Sequence, residues 1–224
     1  DLICIHKPHQ PTRKPEAPLN KDKFHAFYPS CAKRSFVFPF FDLSNLEAKR
    51  SQFEGSHAEK KCQFSYISLP IVHKQHRVLL DAWEALFAKG ISIPLQVTIP
   101  ENYPALFERV TNMQAKGIPI LNLGKVNFET AIAKTFESKY CIYPSTMETL
   151  GLGMLEATLL GRILLTTDLP FVTEVVKPSL TFKAENAAAI VEAVEYALAN
   201  DLPKPSIVIT NKIDELIDTL VKKS

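Results

Sequence analysis

The sequence has 224 residues, of which 46% are hydrophobic, and a formal net charge of +2. This length and composition are enough for one sizeable core with short appendages. No apolar run approaches the roughly 20 residues that a membrane-spanning helix needs. The nearly balanced charge gives no case for a nucleic-acid partner, and it is compatible with an anionic small ligand or a membrane surface.

The four cysteines are too far apart in the sequence to form the close pairs of a zinc site. Cys62 and Cys141 lie in apolar runs, which favours buried thiols and a reduced, cytoplasmic setting. His6 and His9 have no acidic or cysteine neighbour, so we expect solvated loop residues rather than metal ligands. The sequence begins at Asp1 without a methionine or a signal-peptide pattern, and we expect a fragment of a longer protein.

Residues 1–34 are rich in Pro and Lys without periodicity, which predicts an arm or a remnant of an interdomain segment. Strand and helix patterns then alternate, and an amphipathic helix closes the sequence within residues 205–224. In chain order the predicted elements before that helix are the strands "SFVFPFF" and "CQFSYISL", the helix "HRVLLDAWEALFAKG", the strand "IPLQVTIP", the helix "NYPALFERVTNMQAKG", the strand "IPILNLG", the helix "NFETAIAKTFES", the strand "KYCIYPS", the helix after it, the strand "RILLTT", the short helix "PFVTEVV", the strand "SLTF" and the helix "ENAAAIVEAVEYALAN". Asn127 is predicted to cap "NFETAIAKTFES".

This alternation predicts an α/β domain over residues 35–204, with a Rossmann-like parallel sheet and helices on both faces. The near-continuous apolar strands fit a sheet that is buried on both sides. Such sheets bind ligands beyond the carboxyl ends of their strands, where loops lead into helix N-termini. We therefore expect a binding site in these loops.

The stretch "CIYPSTMETLGLGMLEATLLG" places two acids and two glycines where a strand leads into a helix. Free N–H groups at the helix start favour an anion, and Gly151 and Gly153 indicate close ligand approach or tight packing. Glu148 and Glu156 would accept hydrogen bonds from hydroxyl groups. Together they predict a ligand with a diphosphate between two sugars, which is a nucleotide sugar. The alternative is that Glu148 is a helix-start acid and Glu156 pairs with a surface lysine.

A second alternative is dinucleotide binding, because "GLGMLE" begins like the fingerprint G-x-G-x-x-G and Asp168 follows the next strand. Two features count against it. Glu156 stands where the third glycine allows close packing of helix and strand, and Gly151 comes well after the strand rather than in the immediate turn.

Two further loops follow predicted strands. Lys74 in "YISLPIVHKQHRVLL" could meet a phosphate at the same end of the sheet. Residues 124–126 in "LNLGKVNFE" could present their backbone to a nucleobase. The alternatives are an ordinary cationic loop and a simple turn.

Taken together, the strand–Lys–helix order, "LGKV" and "YPSTMETLGLGMLEATLLGRILLTTDLPFVTEVV" closely resemble a known family. They are similar to the C-terminal domain of retaining GT-B glycosyltransferases of the glycosyl transferases group 1 family, over roughly residues 35–200. That family carries two glutamates separated by seven residues, here Glu148 and Glu156. Gly161 matches its glycine before a strand, and Glu174 matches the acid of its "EVV" segment.

The resemblance implies roles for individual residues. Lys74 would neutralise the donor phosphates and Glu148 would contact the transferred sugar, and these two are the implied catalytic residues. Glu156 would bind the donor ribose, and retention would proceed without a metal or other cofactor. The remaining implied donor-binding residues are Thr149, Leu150, Gly151 and Leu152 at the diphosphate and sugar, Gly124 and Val126 at the base, and Ser68.

Two departures from the family pattern shape this interpretation. Ser68 and Leu69 stand where the family often has Gly-Arg, so one cation is missing. The chain has one Rossmann-like domain where GT-B enzymes have two, and their acceptor binds mainly to the N-terminal domain.

We therefore expect the donor-binding half of an enzyme that transfers a hexose-type sugar to a glycan or lipid-linked acceptor through its missing N-terminal domain. The implied setting is polysaccharide biosynthesis in the cytoplasm, with peripheral association of the full-length protein at the inner face of the membrane. One alternative is a non-catalytic sugar-nucleotide-binding domain, which the absent arginine supports. Another is a GT-B nucleotide-sugar 2-epimerase, although "PSTMETLG" lacks the usual Ser-Gly-Gly.

Overall fold

The computed structural model describes residue 39, residues 41–55 and residues 62–221. The predicted arm, residues 1–34, lies outside these ranges. So does most of the predicted strand "SFVFPFF", whose described members Pro39 and Phe41 are not in a strand. An α-helix that the sequence analysis did not predict, α1 (Ser44–Gly55), follows this segment. Its apolar residues are too few to give a clear helical periodicity.

The strands of the described residues are β1 (Cys62–Tyr66), β2 (Leu95–Val97), β3 (Ile120–Asn122), β4 (Ser138–Tyr143), β5 (Ile163–Thr167), β6 (Val176–Lys177), β7 (Leu180–Phe182) and β8 (Ser206–Ile207). Six of them are parallel and form the central sheet in the order β3–β2–β1–β4–β5–β7, and β6 and β8 form a separate pair. The other helices are α2 (His76–Ala88), α3 (Pro104–Ala115), α4 (Phe128–Glu137), α5 (Leu152–Leu159), α6 (Pro170–Val175), α7 (Ala187–Ala199) and α8 (Ile213–Val221).

The helices cover both faces of this sheet. On one face α2 contacts α3 and α7, and on the other α5 contacts α1 and α4. The chain runs from β1 toward β3 and then returns through β4 toward β7. With the right-handed crossovers that are the rule in parallel sheets, this reversal puts helices on opposite faces. The predicted α/β fold with a Rossmann-like parallel sheet is confirmed.

Residues of β1 pack at the centre of the core. Phe64 is in register with Leu95 of β2 and with Tyr140 of β4. Its ring stacks on Tyr140 at a centroid distance of 4.6 Å and meets Trp83 of α2 edge-on at 5.4 Å. Because both faces of the central strands are covered, these strands carry the near-continuous apolar runs seen in the sequence.

Local signals in the sequence correctly mark several helix ends. The Asn127 side chain accepts a hydrogen bond from the Thr130 N–H at 2.9 Å, which confirms the predicted cap of α4. Gly90 and Gly117 follow α2 and α3 with φ angles of 81° and 84°. Glycine reaches this left-handed conformation without the steric cost of a Cβ atom, which is why it ends helices so often.

The C-terminal segment packs back onto the domain. β8 pairs antiparallel with β6, so residues 205–224 contribute a short strand besides the predicted helix, which is α8. The Lys212 N–H donates to the Pro39 carbonyl at 2.7 Å, and this bond joins the segment before α8 to the one before α1. None of the helices in the described ranges has the length and apolar character needed to cross a bilayer.

Candidate functional site

The sheet topology creates a crevice between β1 and β4. These strands are neighbours at the centre of the sheet, and the chain leaves them toward opposite faces. α2 follows β1 on one face and α5 follows β4 on the other. Open α/β sheets bind ligands at such a point, outside the carboxyl ends of the strands. Lys74 lies in the first of these two loops and Glu148 lies in the second.

Lys74 ends a 3-10 turn, Val72–Lys74, between β1 and α2. Its N–H donates to the Ile71 carbonyl at 2.9 Å. The next residue, Gln75, has a left-handed backbone with a φ angle of 55°. Because non-glycine residues adopt this conformation only at a cost, contacts around the turn must hold it in place. One such contact is the buried Tyr66 hydroxyl, which donates to the Lys74 carbonyl at 2.8 Å.

Glu148 lies in a loop that is tied to the Lys74 turn and to β5. The Thr146 N–H donates to the His73 carbonyl at 2.9 Å, which links this loop to the Lys74 turn. Thr167, at the end of β5, donates its hydroxyl to the Ser145 carbonyl at 2.8 Å. These bonds hold the loop over the carboxyl end of β4, and Glu148 is only 9% exposed there.

Lys74 and Glu148 contact each other directly. The Lys74 Nζ atom lies 2.5 Å from Oε1 and 2.6 Å from Oε2 of Glu148. The two side chains are 18% and 10% exposed, so water screens their attraction only in part. The sequence analysis gave them separate partners, a phosphate and a sugar. It did not predict this pairing, because the two residues are 74 positions apart.

The start of α5 directly follows the same loop. Gly151 is the N-cap, with a φ angle of 71°, and the first helical residue is Leu152. No side chain among the described residues caps the first turn of α5. Thr149 and Leu152 are exposed, whereas Leu150 is partly buried. The first N–H groups of a helix lack intrahelical partners, so this end is suited to an anion.

The second glycine of the stretch is explained by packing. A Cβ atom at Gly153 would lie 2.8 Å from both Cε1 and Oη of Tyr143. The Tyr143 hydroxyl also donates to the Gly153 carbonyl at 2.8 Å. Of the two explanations left open by the sequence, tight packing accounts for this glycine and close ligand approach is not needed.

Glu156 is a partly buried carboxylate on α5. Burial raises the pKa of Glu156 to about 7, and in the part of the chain that the structure describes no hydrogen bond or charged partner offsets this burial. The suggested pairing of Glu156 with a surface lysine is therefore not found in these ranges. Burial is also the main cause of the raised pKa of Tyr143, and the nearby Glu156 and Glu148 charges add to it. Both carboxylates thus lie on the Tyr143 side of the sheet.

The other predicted donor-binding residues lie at the ends of β1 and β3. The Ser68 N–H donates to the Thr98 hydroxyl at 2.9 Å, and that hydroxyl donates back to the Ser68 carbonyl at 3.0 Å. Gly124 has a φ angle of 62°, and its N–H donates to the Asn122 Oδ1 atom at 3.1 Å. Val126 is partly buried in the same loop. β2 separates these two loops in the sheet, so they do not form a single cluster.

A cleft of about 650 Å³ opens beside the Lys74 turn, at the ends of β1 and β2. It faces α2 and α3, and neither Glu148 nor Glu156 lines it. We therefore assign the candidate site from the Lys74, Glu148 and α5 geometry and not from this cleft. The cleft is lined by Pro70, Ile71, Val72, Gln75, His76, Arg77, Asn102, Tyr103, Pro104, Ala105 and Leu106.

Sequence reasoning missed the hydroxyl groups beneath the site. Tyr66, Ser145 and Thr167 are each at most 1% exposed and lie at or just beyond the ends of three neighbouring strands. The sequence did contain a signal for them, because all three are polar residues at or just after a predicted strand. His76, which flanks Lys74 in the sequence, packs its ring against Tyr66 at 4.7 Å. Burial lowers the pKa of His76 to about 3, so it is a neutral core residue.

No grouping of three or more His, Cys, Asp or Glu side chains suited to a metal occurs in residues 39, 41–55 and 62–221. We assign no metal ligand within them.

Solved glycosyltransferase structures share this fold. A glycosyltransferase from Rickettsia africae ESF-5 matches with a TM-score of 0.58 and 16% identity, over 80% of this chain and 52% of its own. Anabaena Alr3699/HepE, in complex with UDP and glucose, matches with a TM-score of 0.56 and 14% identity, over 75% and 48%. A UDP-forming α,α-trehalose-phosphate synthase from Burkholderia xenovorans matches with a TM-score of 0.58 and 13% identity, over 75% and 44%.

At these identities the likeness shows the fold, which is that of one Rossmann-like half of a GT-B glycosyltransferase. The chain spans about half of the length of each of these three structures. No curated protein is significantly similar to it in sequence. A family model described as "Glycosyl transferases group 1" matches residues 64–200, which include the Lys74 turn, Glu148 and all of α5. The chain therefore belongs to the glycosyl transferases group 1 family.

Proposed function

We propose that this chain is the donor-binding half of a retaining glycosyltransferase and holds a nucleoside diphosphate sugar across the start of α5. The proposal rests on three groups that lie around one switch point of the sheet. They are the Lys74–Glu148 pair, the start of α5 and the Glu156 carboxylate. Among the described residues no side chain caps this helix start, and none pairs with Glu156. These groups match the parts of such a donor in number and in charge.

Each group has a role that follows from its chemistry. The N–H groups of Thr149 to Leu152 bind the diphosphate, because a helix start favours negative charge. Lys74 turns from Glu148 to the phosphates when the donor arrives. Glu148 then accepts hydrogen bonds from hydroxyls of the transferred sugar, and Glu156 accepts them from the ribose. Gly124 to Val126 contact the base, and Ser68 lies at the phosphate side.

Catalysis would consist mainly of charge stabilisation. As the bond between the sugar and the diphosphate breaks, negative charge grows on the leaving phosphate. The Lys74 ammonium group and the N-terminus of α5 are fixed positive charges aimed at that position. The acceptor hydroxyl attacks the same face of the sugar and passes its proton to an oxygen of the departing phosphate, so the configuration at the anomeric carbon is retained. In this proposal the reaction needs no metal ion.

We further propose that the base is uracil. One of the similar structures is a complex with UDP and another is a UDP-forming synthase, although their likeness shows only the fold. The Asn122 Oδ1 atom next to the proposed base loop already accepts two hydrogen bonds, from Ile99 N–H and Gly124 N–H. Residues 122–127 also contain no carboxylate. The paired donors of guanine therefore lack a side-chain acceptor there, whereas backbone groups suffice for uracil.

In this proposal a second domain binds the acceptor. We propose that the complete enzyme transfers a hexose-type sugar to a glycan or a lipid-linked acceptor in polysaccharide biosynthesis. It would act in the cytoplasm, at the inner face of the membrane. This chain alone would bind the donor and not turn it over.

A second candidate function is sugar-nucleotide binding without catalysis. Leu69 stands where the family often has arginine and is 62% exposed, so Lys74 acts without that neighbouring cation. Weaker stabilisation of the leaving diphosphate would follow, while binding through Glu156 and α5 would remain. Radiolabelled sugar transfer by the full-length protein distinguishes the two candidates, since a binding module transfers no label.

Isothermal titration calorimetry with UDP, GDP and 2′-deoxy-UDP tests the proposed donor site. We expect UDP to bind more tightly than GDP, and Glu156→Gln to weaken UDP binding roughly tenfold, the cost of a charge-assisted hydrogen bond. The wild-type chain should prefer UDP to 2′-deoxy-UDP, and Glu156→Gln should lose most of this preference. The matched control is Glu192→Gln, which changes an exposed glutamate on α7. Equal UDP binding by wild type and Glu156→Gln overturns the role of Glu156.

A further inference from the structure

The Tyr66 hydroxyl joins the two loops that carry Lys74 and Glu148. It donates to the Lys74 carbonyl at 2.8 Å and lies 3.1 Å from the Ser145 Oγ atom. Ser145 is three residues before Glu148 in the second loop. Tyr66 ends β1 and is fully buried, so this link crosses the switch point from beneath.

The direction of both hydrogen bonds follows from their partners. A backbone carbonyl only accepts, so the single Tyr66 proton goes to Lys74. The Ser145 hydroxyl must then donate to the Tyr66 oxygen. Burial raises the pKa of Tyr66 above its usual value, which keeps this proton in place at physiological pH. The link is therefore a directed chain from Ser145 through Tyr66 to Lys74.

Packing leaves the Tyr66 ring little freedom. His76 lies against it at a centroid distance of 4.7 Å, and Tyr143 meets it edge-on at 5.5 Å. Close-packed rings in a core hold a hydroxyl group at a defined point. A backbone bond from Thr146 to the His73 carbonyl joins the same two loops nearby. The Tyr66 hydroxyl adds the contact at Lys74 itself, immediately before the left-handed Gln75.

We propose that Tyr66 is a positioning residue, whose hydroxyl holds the backbone of Lys74 against the loop of Glu148 so that the lysine ammonium group stays at the diphosphate site. This inference rests on the proposed donor site. It adds that affinity for the diphosphate depends on a hydroxyl that never touches the donor. Without that hydroxyl, the Lys74 carbonyl loses its buried donor and the turn shifts.

The test compares two buried tyrosines on neighbouring strands. Tyr66→Phe removes the hydroxyl under the site. Tyr140→Phe is the matched control, because Tyr140 is 2% exposed and its hydroxyl donates to the Ala197 carbonyl of α7 at 2.8 Å, away from the crevice. Each variant loses one buried hydrogen bond to a carbonyl, and Tyr66→Phe also loses the bond with Ser145 Oγ, so its thermal midpoint should fall at least as far as that of Tyr140→Phe. In calorimetry, Tyr66→Phe should weaken UDP binding about tenfold and Tyr140→Phe less than about twofold.

A double-mutant cycle tests whether Tyr66 acts through Lys74. In the Lys74→Ala background, Tyr66→Phe should weaken UDP binding by no more than about twofold. An undiminished tenfold loss in that background overturns the proposal. If Tyr66→Phe does not fold, Ser145→Ala removes the other end of the link and should weaken UDP binding several-fold.

The failure of this inference is distinguishable from the failure of the proposed function. If the wild-type chain binds neither UDP nor GDP at millimolar concentration, both are wrong. If the wild-type chain binds and the two tyrosine variants weaken binding equally, only the role of Tyr66 is wrong.

Discussion

The ammonium group of Lys74 is held by both carboxylate oxygens of Glu148, at 2.5 and 2.6 Å. A diphosphate and a carboxylate compete for the same cation, so the structure shows the crevice in a self-neutralised state. In the proposed function, the donor diphosphate replaces the Glu148 carboxylate at Lys74. The two members of the pair should therefore respond to substitution in opposite directions.

Lys74→Ala should weaken UDP binding, and Glu148→Gln should strengthen it. Removing the lysine takes away the cation that the phosphates need, whereas removing the glutamate charge releases that cation. We expect Lys74→Ala to cost roughly 2 kcal/mol, or about thirtyfold in the dissociation constant measured by calorimetry. Glu148→Gln should gain roughly 1 kcal/mol, or about fivefold. UDP-sugar should gain less than UDP from Glu148→Gln if the carboxylate also contacts the sugar.

Lys134→Ala is the control for the pair, because Lys134 forms a comparable ion pair with Glu137 at 2.8 Å on α4. It should leave UDP binding unchanged. Changes of the same sign in Lys74→Ala and Glu148→Gln would contradict the competition between phosphate and carboxylate.

The missing family arginine gives a second prediction. Leu69 is exposed in the loop between β1 and the Lys74 turn, and Leu69→Arg places a second cation there. We expect UDP to bind up to about tenfold more tightly, with the gain shrinking as salt is added, because ions screen an exposed charge. Leu69→Gln removes the apolar side chain without adding charge and should have little effect. An equal gain in both variants would point to the loss of leucine as its cause.

Glu156 should make folding stability depend on pH. Burial raises its folded pKa from 4.5 to about 7. Over this interval the folded state binds more protons than the unfolded state, so the free energy of unfolding falls as pH rises. The contribution of the protonated carboxyl is complete below about pH 4.5 and is lost as pH rises through about 7.

Glu156→Gln removes this titration. The free energy of unfolding of this variant should match that of the wild type near pH 5 and exceed it by about 2 kcal/mol near pH 8. This value allows for solvent screening of the partly exposed side chain. Urea unfolding at the two pH values measures the difference. An equal gain in stability at pH 5 and pH 8 would show that the Glu156 carboxyl does not titrate as its burial indicates.

Gly153→Ala should destabilise the domain by roughly 2 kcal/mol, because the new methyl group overlaps the buried Tyr143 ring. Alanine is the better helix former, so helix propensity alone would make Gly153→Ala stabilising. A loss of stability therefore indicates that packing against Tyr143 dominates. In a Tyr143→Leu background the cost should largely disappear, as expected for residues in contact. Chemical denaturation of the two single variants and the double variant provides the measurement. Equal costs with and without the tyrosine ring would mean that another neighbour sets the glycine requirement.

Local patterns were enough to predict much of the fold. The Asn127 cap, the glycines after α2 and α3 and the apolar strands act within a few residues, so each is visible in the sequence. α1 was missed because most of its surface is polar, and β8 because its two residues are held by pairing with β6. Both depend on partners that are distant in the sequence.

The sequence by itself determined that strands and helices alternate, that Lys74 and Glu148 each follow a strand, and that two glutamates flank one helix start. Only the tertiary structure decided that the lysine binds the glutamate, that Tyr66 connects their loops and that the Gly153 position faces the Tyr143 ring. β1 and β4 are neighbours in space but far apart along the chain, and the order of strands in the sheet sets which loops meet. The sequence pattern shows which residues lie in loops after strands, and the strand order of the folded sheet decides which of these loops are adjacent.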